Sequence, residues 1–487
     1  MNRTHVLEQS IYTGAAVAAI DKNAIENYAV ASDALMHEAG EAAFNFAVQT
    51  FSGCKRWLVL CGKGNNGGDG YVLATLAKQH GLDVAVYCTD PPRGTDAINA
   101  REAYLSSGGK ILNEMPEQID PGYLIVDALL GTGLSSAPRG ETEAVIRWAN
   151  EQNCARFAVD ISSGVNGDNG DVPGSAFNAD QTLTFIAHKL GLLTGAAGNH
   201  VGVLSLWPLD MPAQAILDIN PCGQILRQPI LPSRLADSHK GSYGHVAVVG
   251  ANRGMLGAGI LASRAALRVG AGKVTLVGHV SNLDKAALLQ PEVMSADYAD
   301  LERISDMASV IAIGPGLALS EDSRDVFTAM MEQELPTVVD ADALTLLASQ
   351  PRRDRGHMVL TPHPGEAATL LKTNTAAIQS NRLQAAEEIA KQYQAVCVLK
   401  GFGTVVASNN NQSAICTLGN PGMASAGMGD VLTGIVVGLL AQGLSCWDAA
   451  CAGVWLHSHA ADIAAGRVGE RSLLASDVIT VLEKVNF

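Results

Sequence analysis

Two glycine-rich segments carry acidic and amide side chains at spacings suited to a phosphorylated ligand. The run GNPGMASAGMGDVLTG (419–434) places Gly427, Gly429 and Asp430 directly before an apolar stretch that predicts a helix from Val431. Backbone N–H groups at such a helix start form an anion pocket. Asp430 stands at its edge, where a carboxylate can take the proton of a hydroxyl that attacks a phosphate. The competing reading, a glycine-rich helix start capped by Asp430, is the weaker one. The run GKGNNGGDG (62–70) falls between a predicted strand and a predicted helix. The four glycines from Gly64 to Gly70 let the backbone approach a ligand, while Asn65, Asn66 and Asp69 add polar groups where a plain turn needs only one. The spacing matches neither G-x-G-x-x-G nor a Walker A loop.

Further polar clusters follow other predicted strands. Asp127 precedes the loop Gly131, Thr132, Gly133, Leu134, Ser135, Ser136, Ala137, and Asp160 precedes Ile161, Ser162, Ser163 and Gly164. A single Asp at a strand end is often a cap, but several such loops in one parallel sheet converge on one edge. Asn66, Asp127 and Ser163 together offer neutral and anionic oxygens that suit a hard cation. In the second half the segments are HKGSYG (239–244), GPGLA (314–318), DADAL (340–344), TPHPGE (361–366) and LKGFGT (399–404). His363 beside Glu366 in a Pro-bounded loop favours a site role. Lys400 with Gly401 and Gly403 suits phosphate contact.

The elements that must position these groups read as alternating strands and helices. RWLVLC (56–61), 83–88, LIVDALLG (124–131) and RFAVDISSG (156–164) predict strands, with a helix from about Tyr71 to His80 and an earlier helix capped by Ser32. The alternation restarts with HVAVVGAN (245–252) and a helix over 256–269. Between the halves, 206–240 carries Pro208, Pro212, Pro221, Pro229 and Pro232 and little periodicity, which reads as a linker. The fold class is therefore α/β with two domains, 1–220 and 221–487, each a mostly parallel sheet covered by helices. The second is not an evident repeat of the first.

Composition fits. A chain of 487 residues that is 47% hydrophobic and 17% charged exceeds one core, and its 50 glycines cluster in short runs. A net charge of −15 disfavours nucleic acid and anionic membrane as partners but leaves room for phosphate ligands. Nine cysteines without metal spacing suggest reduced thiols and a cytoplasmic location. The N-terminal residues lack the apolar run of a signal peptide. The most apolar stretch, 431–447, is interrupted by Gly434, Gly438 and Gly443 and predicts a buried helix rather than a membrane span.

NNGGDG, DALLGTGL and VDISSGVNGDNG, within about 10–215, resemble the NAD(P)H-hydrate epimerase family, with a Rossmann-like three-layer parallel sheet. The resemblance implies that Asn65, Asn66, Gly67, Gly68, Asp69 and the loop Gly131 to Ala137 bind the hydrate. It makes Asn66, Asp127 and Ser163 potassium ligands, and Asp160 the binding and acid–base residue. Ser162 stands where that family usually has Pro. HKGSYG, PEVM, GPGL, DADAL, LTPHPGE, LKG and GMGD, over about 225–485, resemble the ribokinase-like, ADP-dependent NAD(P)H-hydrate dehydratases. Ala258, Gly316, His363 and Asp430 are then hydrate-binding positions, and Lys400, Gly401, Phe402, Gly403, Thr404 and Gly429 nucleotide-binding ones. Asp430 is the expected base. Ala318 and Met428 replace the Gly and Thr common in that family. The implied substrates are the hydrates NADHX and NADPHX, with ADP or ATP as donor, Mg2+ and K+ as ions, and a homo-oligomeric assembly. The alternatives are a ribokinase-class kinase of a vitamin precursor with an N-terminal ligand-binding module, and a non-enzymatic sensor.

Overall fold

A computed structural model describes residues 9–134, 136–350 and 356–484. It contains two compact units, Met1–Gln224 and Ile225–Phe487. In chain order the strands of the first are β1 (Ser10–Tyr12), β2 (Arg56–Cys61), β3 (Asp83–Cys88), β4 (Lys110–Leu112), β5 (Tyr123–Ala128), β6 (Ala155–Val159), β7 (Gln181–Phe185), β8 (His188–Lys189) and β9 (Val203–Trp207), with β10 (Gly223–Ile225) at the boundary. Seven of them form a sheet in the order β4-β3-β2-β5-β6-β7-β9. Every pairing in it is parallel. Strands buried on both faces need apolar residues throughout, which is why WLVLC in β2 is buried from end to end. The order turns outward in both directions from β2 and β5, so the crevice beyond their carboxyl ends is a switch point.

The segment after β2 differs from the sequence expectation. The helix begins at Asn65 and runs to Gln79, so NNGGDG is its first turns rather than a loop ahead of Tyr71. Glycine weakens a helix in isolation, but here it is required by packing. A Cβ on Gly67 would lie 2.0 Å from the Gly62 carbonyl oxygen, and one on Gly68 would lie 2.5 Å from the Met36 sulfur. Gly67→Ala must therefore displace backbone, and a stability loss of about 1–3 kcal/mol or more is expected. A lowered urea midpoint of the first unfolding transition would show it, and an unchanged midpoint would refute the packing argument. Ser32 is also not a cap: the helix Ser32–Thr50 is preceded by Ala31, and the Ser32 hydroxyl donates to Asp96 Oδ2 at 2.7 Å.

The second unit continues with β11 (His245–Val249), β12 (Lys273–Gly278), β13 (Met294–Asp297), β14 (Val310–Ile313), β15 (Thr337–Val339), β16 (Met358–Leu360), β17 (Val396–Leu399), β18 (Thr404–Ala407) and β19 (Ser413–Cys416). Their order is β13-β12-β11-β14-β15-β16-β17-β18-β19. The sheet is parallel up to β17 and ends in an antiparallel β17-β18-β19 meander. The apolar stretch is two helices rather than one. Met428–Ala441 stops before Gly443, which has φ +91°, and Ser445 caps Cys446–Val468 by accepting from Asp448 N at 3.1 Å. A Cβ on Gly434 would sit 2.1 Å from the Ala262 carbonyl oxygen, so the glycine seats this helix directly on Leu256–Arg268. No helix among the described residues is long and apolar enough to cross a membrane. None of the nine cysteines is in a disulfide.

Candidate active sites

In the first unit a cavity of about 710 Å³ opens at the switch point, a size that suits a small-molecule ligand. Asn65, Asn66, Asp69, Gly131, Thr132, Gly133, Leu134, Ser136, Ala137 and Asp160 line it. Ser135 lies outside the described residues. Gly67 and Gly68 are buried in the helix behind. Asp160 follows β6 in a left-handed conformation, φ +66°. Such strain persists only where the surroundings impose it. Its Oδ1 accepts from Lys189 Nζ at 2.7 Å and from Phe185 N at 3.1 Å.

Asp127, Ser163 and Asn66 are joined through one small loop. Asp127 Oδ1 accepts from Ser163 Oγ at 2.6 Å and from Leu129 N at 3.1 Å, while Oδ2 accepts from Ser163 N at 2.7 Å. Burial pushes this carboxyl up to about 6 against those three hydrogen bonds, which hold it down. Leu130 N donates to Ser163 Oγ at 2.9 Å, and Asn66 Nδ2 donates to Leu130 O at 2.8 Å. That fixes the Asn66 amide and leaves its buried Oδ1 without a hydrogen-bond partner. A buried acceptor without a donor is costly unless a cation or water satisfies it.

In the second unit the chemistry gathers beneath the start of the helix Met428–Ala441. Asp340, just past β15, is 2% exposed and accepts from Lys400 Nζ at 2.8 Å and from the Thr433 hydroxyl at 2.8 Å. Glu366 Oε2 lies 3.7 Å from the same ammonium. A Cβ on Gly429 would stand 3.3 Å from Lys400 Nζ, so the glycine allows the helix start to lie over this ion pair. Asp430 beside it is pushed up to about 7, by burial first and then by the charge of Asp340, with Lys400 pulling the other way. His363 caps the helix Pro364–Leu371: its Nδ1 accepts from Gly365 N and Glu366 N, and Glu366 Oε2 accepts from His363 N at 2.7 Å. Its ring is more than half exposed. Gly316, at φ +65°, would bring a Cβ within 3.4 Å of the Ala258 Cβ, which puts these two positions together.

The loop after β17 is set from behind. Arg382 is buried and donates to the carbonyls of Leu399 and Lys400 at 3.0 and 3.2 Å. Gly401 and Gly403 take positive φ, the Thr404 hydroxyl donates to Gly401 O at 2.9 Å, and Phe402 is exposed. Lys400 differs from its neighbours: its side chain turns inward to Asp340. Residues that sequence reasoning did not single out are Asp21 and Lys189 in the first cavity and Arg382, Thr433 and His457 in the second unit. His457 is buried with Nε2 unpartnered, and burial lowers it to about 4, helped by the charge of Lys400.

Residues 32–191 match the family described as YjeF-related protein N-terminus, and residues 246–484 match the family described as NAD(P)H-hydrate dehydratase. The chain is 42% identical over 461 residues to the bifunctional NAD(P)H-hydrate repair enzyme Nnr of Escherichia coli (strain K12), covering 93% of this chain and 89% of that protein. It is 41% identical over 480 residues to the enzyme of that name from Coxiella burnetii, covering 96% and 97%. A solved ADP/ATP-dependent NAD(P)H-hydrate dehydratase from Bacillus subtilis, co-crystallised with ATP and Mg2+, is 31% identical and covers 52% of this chain and 92% of that one, with a TM-score of 0.48.

Proposed function

The chain belongs to the bifunctional NAD(P)H-hydrate repair enzymes, and we propose that its two units divide the repair: the first interconverts the R and S hydrates of NADH and NADPH, and the second dehydrates the S form at the expense of ADP. The observation that carries this division is that each unit has its own polar cluster at the carboxyl ends of a parallel sheet. One centres on Asp160 and the other on Asp430.

In the second unit Asp430 takes the proton of the C6 hydroxyl as its oxygen attacks the terminal phosphoryl group. The N–H groups at the start of Met428–Ala441 meet the phosphate charge, and the loop Gly401 to Thr404 takes the nucleotide. AMP leaves, and the ring nitrogen then expels phosphate from C6. Loss of a proton from C5 restores the dihydronicotinamide. Mg2+ would accompany the nucleotide phosphates, which it binds more readily than an all-protein cage. ADP is the proposed donor, with ATP the competing one.

In the first unit the unpartnered Asn66 Oδ1, the Asp127 carboxylate and Ser163 Oγ are oxygen donors of the kind a hard cation takes, and they would hold a K+ ion. The ion would supply fixed positive charge near the loop Gly131 to Ala137. Asp160 carries the proton transfer. A net charge of −15 fits neither a nucleic acid nor an anionic membrane as partner, and the proposal includes a cytoplasmic homo-oligomer.

The test uses both C6 epimers of hydrated NADH with Mg2+ and ADP, followed by recovery of near-ultraviolet absorbance. The wild type should recover completely. Asp160→Ala should show a fast phase that stalls partway, because only the S form is consumed quickly. No recovery with ADP or ATP would sink the dehydratase assignment and leave a small-molecule kinase ahead.

A further inference from the structure

We propose that Asp69 is the general acid of the epimerisation and that Lys189 is the positioning residue of its base, Asp160. The proposal rests on reading the first unit's cavity as the epimerase site. Five carboxylates, Asp21, Asp69, Asp90, Asp96 and Asp160, line that cavity with the exposed Lys63 and Arg139 and the buried ammonium of Lys189. The ammonium donates to Asp160 Oδ1 at 2.7 Å, to the Thr184 hydroxyl at 2.9 Å and to the Phe185 carbonyl at 3.0 Å. An ammonium has three protons, and here all three are taken. Lys189 therefore anchors the base and cannot deliver a proton to substrate without releasing it.

The acid must come from elsewhere in the cavity. Lys189, the buried cation of the cavity, is paired with Asp160, and among the described residues no ion pair reaches the half-buried Asp21 or Asp69, so one of these two is the place for a retained proton. Burial pushes Asp69 well above the usual carboxylate range, and the charges of Asp160 and Asp21 add to it. Asp21 is raised as well, by burial and by Asp160, but Lys189 draws it back. Of the acidic groups on the helices packed against the Asp69 helix, Asp96 lines the cavity and Glu38 does not, and both are occupied. Glu38 accepts from Asp210 N at 2.9 Å, and Asp96 accepts from the Ser32 hydroxyl at 2.7 Å.

The division of labour gives a balanced step. Asp160 takes the C6 hydroxyl proton, the C6–O bond becomes a carbonyl, and the C6–N1 bond breaks. Its electron pair goes to N1, which receives the proton of Asp69. Rotation about C5–C6 presents the other face of the carbonyl. N1 then attacks C6 and returns its proton to Asp69, while the oxygen recovers the proton held by Asp160. Nothing is oxidised, and both carboxyl groups end as they began.

The full chain, without nucleotide, is given a single C6 epimer of hydrated NADH, and interconversion is followed by chromatography. Asp69→Asn keeps the shape but cannot give up a proton. Its kcat should fall by about 10²–10⁴-fold with KM little changed, and the high-pH fall of the wild-type rate profile should vanish. Asp21→Asn should move that fall to lower pH, because a like charge holding the proton on Asp69 is gone. Lys189→Ala should lose kcat and regain part of it with added propylammonium, which a purely structural role would not give. Wild-type kcat in Asp69→Asn, or a raised KM alone, overturns the proposal. Should Asp69→Asn fail to fold, an unmoved high-pH limb in Asp21→Asn overturns it instead. Absence of interconversion in the wild type would strike the epimerase reading itself.

Discussion

Asp430→Asn is expected to lower the dehydration rate by about 10²–10⁴-fold while leaving hydrate epimerisation intact, because the two sites use separate bases. The same carboxyl sets the pH dependence. Burial and the neighbouring Asp340 push Asp430 up to about 7, so near neutrality it is divided between acid and base forms. A base works only when deprotonated, so dehydration by the wild type should fall as pH drops through about 7. The substitution should not lower the melting temperature. Ionising a group whose folded pKa is raised works against the fold, and the amide carries no such charge. The measurement is the initial rate of absorbance recovery from the S hydrate between pH 5.5 and 8.5, with melting curves alongside. A flat profile, or an Asp430→Asn enzyme at the wild-type rate, would remove Asp430 from the role of base.

The parallel strands were legible because a strand buried on both faces must be apolar throughout. The segment 56–61 reads as a strand, and the structure has one over Arg56–Cys61. The polar residues after the strands stand out for the complementary reason, since Asn65, Asn66 and Asp69 are more polar groups than a plain turn needs after such a run. Helix starts were less legible. NNGGDG has the composition of a loop, yet it is helical and packed so closely on Gly62 and Met36 that Gly67 and Gly68 have no room for a Cβ. Partners across the chain were not legible at all. Lys189 sits in the apolar segment FIAHKLGLL, where one cation gives no hint that it anchors a carboxylate 29 residues earlier. Asp21 lies on a helix whose pattern reads as ordinary amphipathic surface.

Lys400 shows the same limit with the largest structural consequence. Its glycine neighbours suggested phosphate contact, yet its ammonium is bound to Asp340, sixty positions away in the chain. Burial alone would push Asp340 up. Lys400, Thr433 and Thr361 more than offset it and hold the carboxyl below its usual range. Burial likewise opposes the charge on Lys400, and Asp340 and Glu366 keep it raised overall. Lys400→Met then leaves a buried carboxylate without its cation, which typically costs about 3–5 kcal/mol. Urea unfolding should show this as an earlier transition, and Asp340→Asn combined with Lys400→Met should recover part of it, since neither charge is then left alone. The linkage has a definite direction. Asp340 is depressed, so its share of stability is present above the unfolded carboxylate range near 3.9 and is lost as acid titrates through the lower folded value. Lys400 is raised, so its share is lost only as alkali titrates past the ordinary lysine range. If Lys400→Met unfolds like the wild type but binds ADP poorly, the ammonium serves the nucleotide and the pair with Asp340 contributes little. If both stability and binding fall, one ion pair holds the floor of the site and presents Gly429 to the phosphate above it.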